Sequence, residues 1–180
     1  MRKDRQRIGL IPFGDIPDIV PKVIAAHISG YLDLQTILLE PMQNPSYALD
    51  SRRRQYDVGH ILEHLESGSF GSVDKVMGIL DVDLFVPVFT HVFGEARQKG
   101  RVALISIFRL RENPMDTIKD STITLERAAK VALHEVCHLY NLTHCEDRRC
   151  LMYFSGSLSD LDQIPLGFCR YCSRYIREAT

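Results

Sequence analysis

Apolar positions recur along this chain in two periods, one of strands and one of helices. Residues 8–13, IGLIPF, form an apolar run of strand length. Between Pro17 and Ser29, the positions Ile19, Val20, Val23, Ile24 and His27 recur at helical spacing, which predicts a helix with Gly30 as its stop. Residues 31–40 read as a second strand. Residues 41–58 are polar, with two prolines and the run Arg52–Arg54, and read as a surface loop with a solvated basic stretch. A helix is predicted over 57–66, a further one over 72–78, and a buried strand over 79–89. Residues 91–97 and 101–109 read as two strands joined at Lys99 and Gly100. The first carries Gly94, Glu95 and Arg97, a composition that suits a sheet edge. Residues 111–120 form a polar loop. The strongest helix runs from Thr124, as N-cap, to Tyr140, with Leu125, Ala128, Ala129, Ala132, Leu133 and Val136 on one broad face. Beyond Asn141 the pattern is lost until a short helix near 170–178. Alternating strands and helices of this kind predict an α+β fold of three-layer α/β/α type.

Composition narrows the class. At 180 residues, 45% hydrophobic and 25% charged, the chain can build one real core. The net charge of −1 argues against a nucleic-acid partner. No apolar run reaches the ~18 residues of a membrane span. The basic start MRKDRQR is followed by too short an apolar stretch for a signal peptide, so a cytoplasmic protein is expected, as a monomer. All five cysteines lie after residue 136, and an odd, clustered count there points to metal rather than to disulfides.

The long helix ends in His134-Glu-Val-Cys-His138. Histidines at i and i+4 stand about 40° apart around a helix, so both rings reach one metal. Glu135 flanks them and is free to act as a base. His144 stands six residues after His138, too far along a straight helix, so the chain must turn sharply between them. Asn141 suits such a turn because asparagine tolerates the left-handed conformation. Three imidazoles with an open fourth position describe a catalytic zinc, whose role is to acidify water and polarise a carbonyl.

A second donor set starts at the next residue. Cys145, Cys150, Cys169 and Cys172 form two close pairs, the pattern of a structural tetrahedral zinc that staples a tail too poor in apolar residues to fold alone. Adjacent side chains in an extended chain point to opposite sides, so His144 and Cys145 can serve two metals from one backbone segment. Other motifs read as ordinary. His60-Ile-Leu-Glu-His64 matches an inverted zinc-peptidase string but reads as a solvated helix face. His27 and His91 stand singly, and Cys137 reads as a buried thiol.

The stretch 134–172 resembles the archaemetzincins, a branch of the metzincin clan of zinc metallopeptidases. His134, Glu135, His138, His144, Cys145, Cys150, Met152, Cys169 and Cys172 follow that family's order. Asn141 stands where the family places glycine, and sixteen residues separate Met152 from Cys169 where seventeen are expected. The resemblance implies a twisted, mostly parallel sheet with an antiparallel edge strand, an active-site helix and a small zinc-stapled C-terminal subdomain. The expected division is 1–141 for sheet and helix, and 142–180 for the third histidine, the Met-turn and the four-cysteine site. It implies that Met152 forms the Met-turn beneath the zinc ligands without coordinating. It also implies that the strand Phe93, Gly94, Glu95, Ala96 and Arg97 lines the cleft and pairs with an extended peptide.

The leading expectation is therefore a zinc metallopeptidase, endo- or aminopeptidase, holding two zinc ions, acting on a peptide or protein, with Glu135 as general base. The competing readings are a zinc-binding interaction module on the four-cysteine site and an inactive, peptide-binding scaffold. Residues 145–180 carry balanced basic and acidic side chains, which leaves no phosphate footprint.

Overall fold

The computed structural model describes residues 6–112 and 122–180. A five-stranded sheet forms its middle layer, in the order β2 (Gln35–Leu38), β1 (Arg7–Pro12), β5 (Lys75–Leu80), β9 (Val102–Ser106) and β8 (Gly94–Ala96). The first four strands are parallel and β8 is antiparallel to β9, with Gly94, Glu95 and Ala96 opposite Ile105, Leu104 and Ala103. The expected mostly parallel sheet with an antiparallel edge strand is present.

Helices cover both faces. On one side, α1 (Ile19–Leu32) and α3 (Thr122–Leu139) bury Ile24, Ile28, Ala132, Leu133 and Val136 against Leu10, Met77 and Ile105. On the other, α2 (Val58–Ser67) buries Ile61, Leu62 and Leu65 against Ile11, Val76 and Leu104. Strand residues apolar on both faces are what a sheet sandwiched between helices requires. The tail joins the first of these cores through Leu151, Met152, Leu161, Ile164 and Ile176. Among the described residues, no helix is long and apolar enough to cross a membrane.

Several boundaries differ from the sequence expectation, each for a physical reason. Gly30 does not stop α1, which runs to Leu32 and ends where Asp33 turns left-handed at φ 54°. The strand expected over 31–40 shrinks to β2 because residues 31 and 32 belong to that helix. The supposed loop 41–58 contains β3 (Leu49–Asp50) and β4 (Gln55–Asp57). These join β6 (Leu84–Val86) and β7 (Phe89–Val92) in a separate sheet, ordered β3, β4, β6, β7. The helix expected over 72–78 is instead β5, whose apolar run is buried between the two helical layers. The single strand expected over 79–89 breaks at Asp81 and Asp83, which pair with Arg111 and Arg109, so the chain passes from one sheet to the other. The strand expected over 91–97 is likewise divided between β7 and β8. Thr124 lies buried inside α3 and does not cap it. The expected loop 111–120 falls largely outside the described residues. The tail also holds an unforeseen helix, α4 (Leu158–Gln163), before α5 (Arg170–Ala179).

Candidate active site and its metal donors

The site grows out of the end of α3. Asn141 takes a left-handed φ of 68°. The backbone N–H of Leu142 donates to Cys137 O at 3.1 Å, and that of Asn141 to His138 O at 2.9 Å. This paired closure ends the helix and reverses the chain. Lys75 fixes it from outside, donating from Nζ to Leu139 O at 3.0 Å and to Gly100 O at 2.8 Å, above the Tyr140 ring. The reversal returns His144 to the two helix histidines. The ring centroids of His134, His138 and His144 lie 4.7, 5.2 and 4.9 Å apart, and one nitrogen of each falls within 4.8 Å of the others.

Two of the rings are oriented by the backbone. His134 Nδ1 donates to Leu151 O at 2.8 Å and His138 Nδ1 to Leu142 O at 2.7 Å. A carbonyl only accepts, so the proton sits on Nδ1 and the Nε2 lone pair remains available to a metal. Burial favours the neutral form of all three rings, although His144 is partly open to solvent. It depresses His134 to about 3, aided by neighbouring His138, and lowers His138 and His144 as well. Neutral imidazole is the form a zinc ion binds.

Glu135 is buried, and burial, reinforced by the nearby Glu95 carboxylate, raises its pKa well above the usual range. It lines a cleft of about 400 Å³ together with all three histidines. Of the five edge residues singled out by sequence, Phe93, Gly94 and Glu95 line this cleft. Ala96 packs on the core and Arg97 pairs with Glu66 at 3.3 Å. Met152 is fully buried in the core next to the site, and its carbonyl accepts from Cys145 N at 2.8 Å. Lys130, one turn before His134, also lines the cleft, with Nζ held by Glu126 and Leu161 O.

The four thiols Cys145, Cys150, Cys169 and Cys172 converge within 4.8 Å. Cys145 and Cys169 sulfurs lie 3.9 Å apart, close to the ~3.8 Å edge of a zinc–thiolate tetrahedron with bonds of about 2.3 Å. Backbone N–H groups of Cys169 and Cys172 point at the sulfurs of Cys150 and Cys169, at 3.3 and 3.5 Å. Donor type and spacing fit a structural zinc. Cys137 is buried and belongs to neither donor group. His60 and His64 are exposed on α2, with His64 against Tyr47, and His27 Nδ1 donates to Val23 O of its own helix at 2.8 Å.

Two features of the cleft escaped the sequence. His91 lines it, although it read as a lone histidine, and Phe89 and Phe154 meet across its mouth. The pattern carries no signal for either, because the contacts join residues far apart in the chain.

The model of peptidase family M54 matches residues 29–178. The chain belongs to peptidase family M54. M54 is a family of zinc-dependent metallopeptidases, and this member acts on peptides or proteins and carries donor sets for two zinc ions. It is similar to the archaemetzincin of Methanopyrus kandleri, with 36% identity over 84% of this chain and 82% of that protein. The archaemetzincin of Methanocaldococcus jannaschii is 33% identical over 96% and 93% of the two chains. Among solved structures, the M. kandleri archaemetzincin matches with a TM-score of 0.85 over 99% of this chain and 97% of that one, at 33% identity. The Archaeoglobus fulgidus archaemetzincin, solved with malonate, matches at 0.80 over 94% and 99%, at 29% identity.

Proposed function

We propose that this M54 peptidase cleaves peptide bonds at the His134, His138 and His144 centre, with Glu135 as the general base and then the general acid. The observation that carries the reading is the convergence of three neutral imidazoles in a cleft that Glu135 also lines. A zinc ion held by these rings supplies a Lewis acid that acidifies water and polarises the scissile carbonyl. Glu135 takes the proton of the attacking water and delivers it to the leaving amine. The free edge of β8 aligns the substrate backbone by strand addition, with Phe93, Gly94 and Glu95 facing the cleft and Ala96 and Arg97 continuing the strand. Met152 supports the ligand platform from the core and does not coordinate.

Cys145, Cys150, Cys169 and Cys172 hold the second, structural zinc. In this reading 1–141 supplies the sheet and the helix, and 142–180 supplies the third ligand and the metal staple. The absence of disulfides among the five cysteines favours a cytoplasmic location, and the near-zero net charge disfavours a nucleic-acid partner.

Turnover of a fluorogenic peptide by wild type and Glu135→Gln, with zinc measured per chain, tests the assignment. A loss of at least ~10²-fold with both zinc ions retained is expected. Equal turnover would remove Glu135 from the mechanism.

A further inference from the structure

The four thiols of the tail are not equally sheltered. Cys150 and Cys172 are buried, whereas Cys145 and Cys169 are half-buried and line an open hollow in the surface together with Thr143 and Tyr171. The Cys145 and Cys169 sulfurs lie 3.9 Å apart. Any two sulfurs of a zinc–thiolate tetrahedron stand about that far from each other, so exposure rather than distance singles out this pair.

Hydrogen bonding ranks the two. The backbone N–H of Cys172 donates to Cys169 Sγ at 3.5 Å, and that of Cys169 to Cys150 Sγ at 3.3 Å. Among the described residues no backbone N–H reaches Cys145 Sγ. A hydrogen bond to a metal-bound thiolate withdraws charge and blunts it as a nucleophile, which leaves Cys145 the more reactive sulfur. Zinc keeps its cysteines deprotonated, and the thiolate is the form that oxidants attack. Glu146 and Asp147 also line the hollow and favour a small neutral oxidant over an anionic one.

Resting on the two-metal reading above, we propose that the thiolate centre is a redox switch of the peptidase, in which a peroxide joins Cys145 to Cys169 as a disulfide, expels the structural zinc and loosens the His144 arm. Cys145 Sγ attacks one oxygen of hydrogen peroxide; the S–O bond forms, the O–O bond breaks and hydroxide leaves. Cys169 Sγ then attacks the Cys145 sulfur; the S–S bond forms, the S–O bond breaks and a second hydroxide leaves. The two sulfurs give up two electrons, and the peroxide ends as two hydroxide ions, which take protons from solvent. Closing 3.9 Å to the about 2.05 Å of a disulfide needs about 1 Å of travel from each sulfur. Two thiolates remain, too few to hold the metal. His144 immediately precedes Cys145, so the arm carrying the third imidazole loses its anchor. A dithiol reverses the step, reducing the disulfide as it becomes one itself.

The test adds hydrogen peroxide to zinc-loaded wild type and to zinc-loaded His134→Ala, whose remaining metal reports the thiolate site alone. Released zinc is read with a chromogenic chelator, and cysteines are mapped by mass spectrometry without reduction. Zinc is expected to leave His134→Ala as a Cys145–Cys169 disulfide appears in both proteins, with Cys137, buried in the core, unmodified. Wild-type turnover of a fluorogenic peptide should fall by roughly 10- to 100-fold in step with the disulfide, and return with dithiothreitol and zinc. A different cysteine pair, sulfinic acid in place of the disulfide, or zinc release by oxidised glutathione as fast as by peroxide overturns the proposal. So does a disulfide that leaves turnover unchanged. Fewer than two zinc ions per wild-type chain before peroxide is added would instead overturn the two-metal reading. If wild type cleaves no peptide, the peptidase reading falls separately. The coupling is then read as faster loss of the histidine-site zinc to the chelator after oxidation, and an unchanged rate overturns it.

Discussion

The side chain of Glu135 occupies space that any residue larger than glycine at position 94 would need. A Cβ on Gly94 would lie 2.9 Å from Glu135 Cγ, 2.8 Å from Leu104 O and 3.0 Å from Val131 Cγ1. The bare Cα lets β8 lie directly on α3, so that the strand proposed to align substrate and the proposed base touch. Gly94→Ala should therefore destabilise the fold by about 1–3 kcal/mol through overpacking. It should also reduce turnover more than tenfold by moving Glu135. Urea unfolding and kcat, measured on the same preparation, check both effects.

The adjacency of His144 and Cys145 couples the two donor sets, and variants in the two sets should differ in how far the loss spreads. Cys169→Ser should open the thiolate site, release the segment after Asn141, and weaken zinc at the histidines as well. His134→Ala should empty the histidine site and leave the thiolate site filled, because all four thiolates remain while only two imidazoles do. Zinc stoichiometry and limited proteolysis of both variants test the asymmetry. Full activity with two zinc ions in Cys169→Ser would show that the four thiols do not hold a structural metal.

Lys75 works at a distance from the chemistry. Its ammonium satisfies two carbonyls at the end of α3, and burial lowers its pKa. Lys75→Met should leave those carbonyls unpaired, at a cost of about 1–3 kcal/mol. The looser turn should release the His144 arm, seen as faster loss of one zinc to a chelator. Unchanged zinc release would restrict Lys75 to general stability.

The histidine cluster also sets a pH dependence for the metal-free protein. All three rings have folded-state pKa values below the ordinary 6.5, with His134 near 3. As pH falls through 6.5 the unfolded chain takes up protons that the fold refuses, so the stability present above that value is lost progressively toward 3. The urea midpoint of the metal-free protein should drop between pH 7 and pH 4.5, and His134→Gln should flatten the slope. A midpoint that holds constant in wild type would mean that these rings titrate freely.

The donor residues were legible because their chemistry is written in spacing. Four residues on a helix bring His134 and His138 together, and Asn141 marks the turn that returns His144. The edge strand showed in the glycine and charges at 94–97. The second sheet left no such trace, since strands of two to four residues, such as Leu49–Asp50, are too short for a period to emerge. Residues 75–80 misled because a strand buried on both faces alternates no more than a buried helix does. The capping pattern Ser157 to Asp160, with Ser157 Oγ accepting from Asp160 N at 3.2 Å, did announce α4 and could have been read. Lys75 and the Phe89–Phe154 pair depend on tertiary neighbours alone.

If β8 aligns substrate as proposed, its open side limits what this peptidase can digest. A polypeptide aligned on that edge must offer its own backbone donors and acceptors, and a segment already wound into a helix or paired within a sheet has none to spare. Susceptibility would then be decided first by the victim's local stability and only afterwards by its side chains. Well-packed native proteins would survive contact with the enzyme, while frayed termini, loosened loops and short fragments left by other proteases would be consumed.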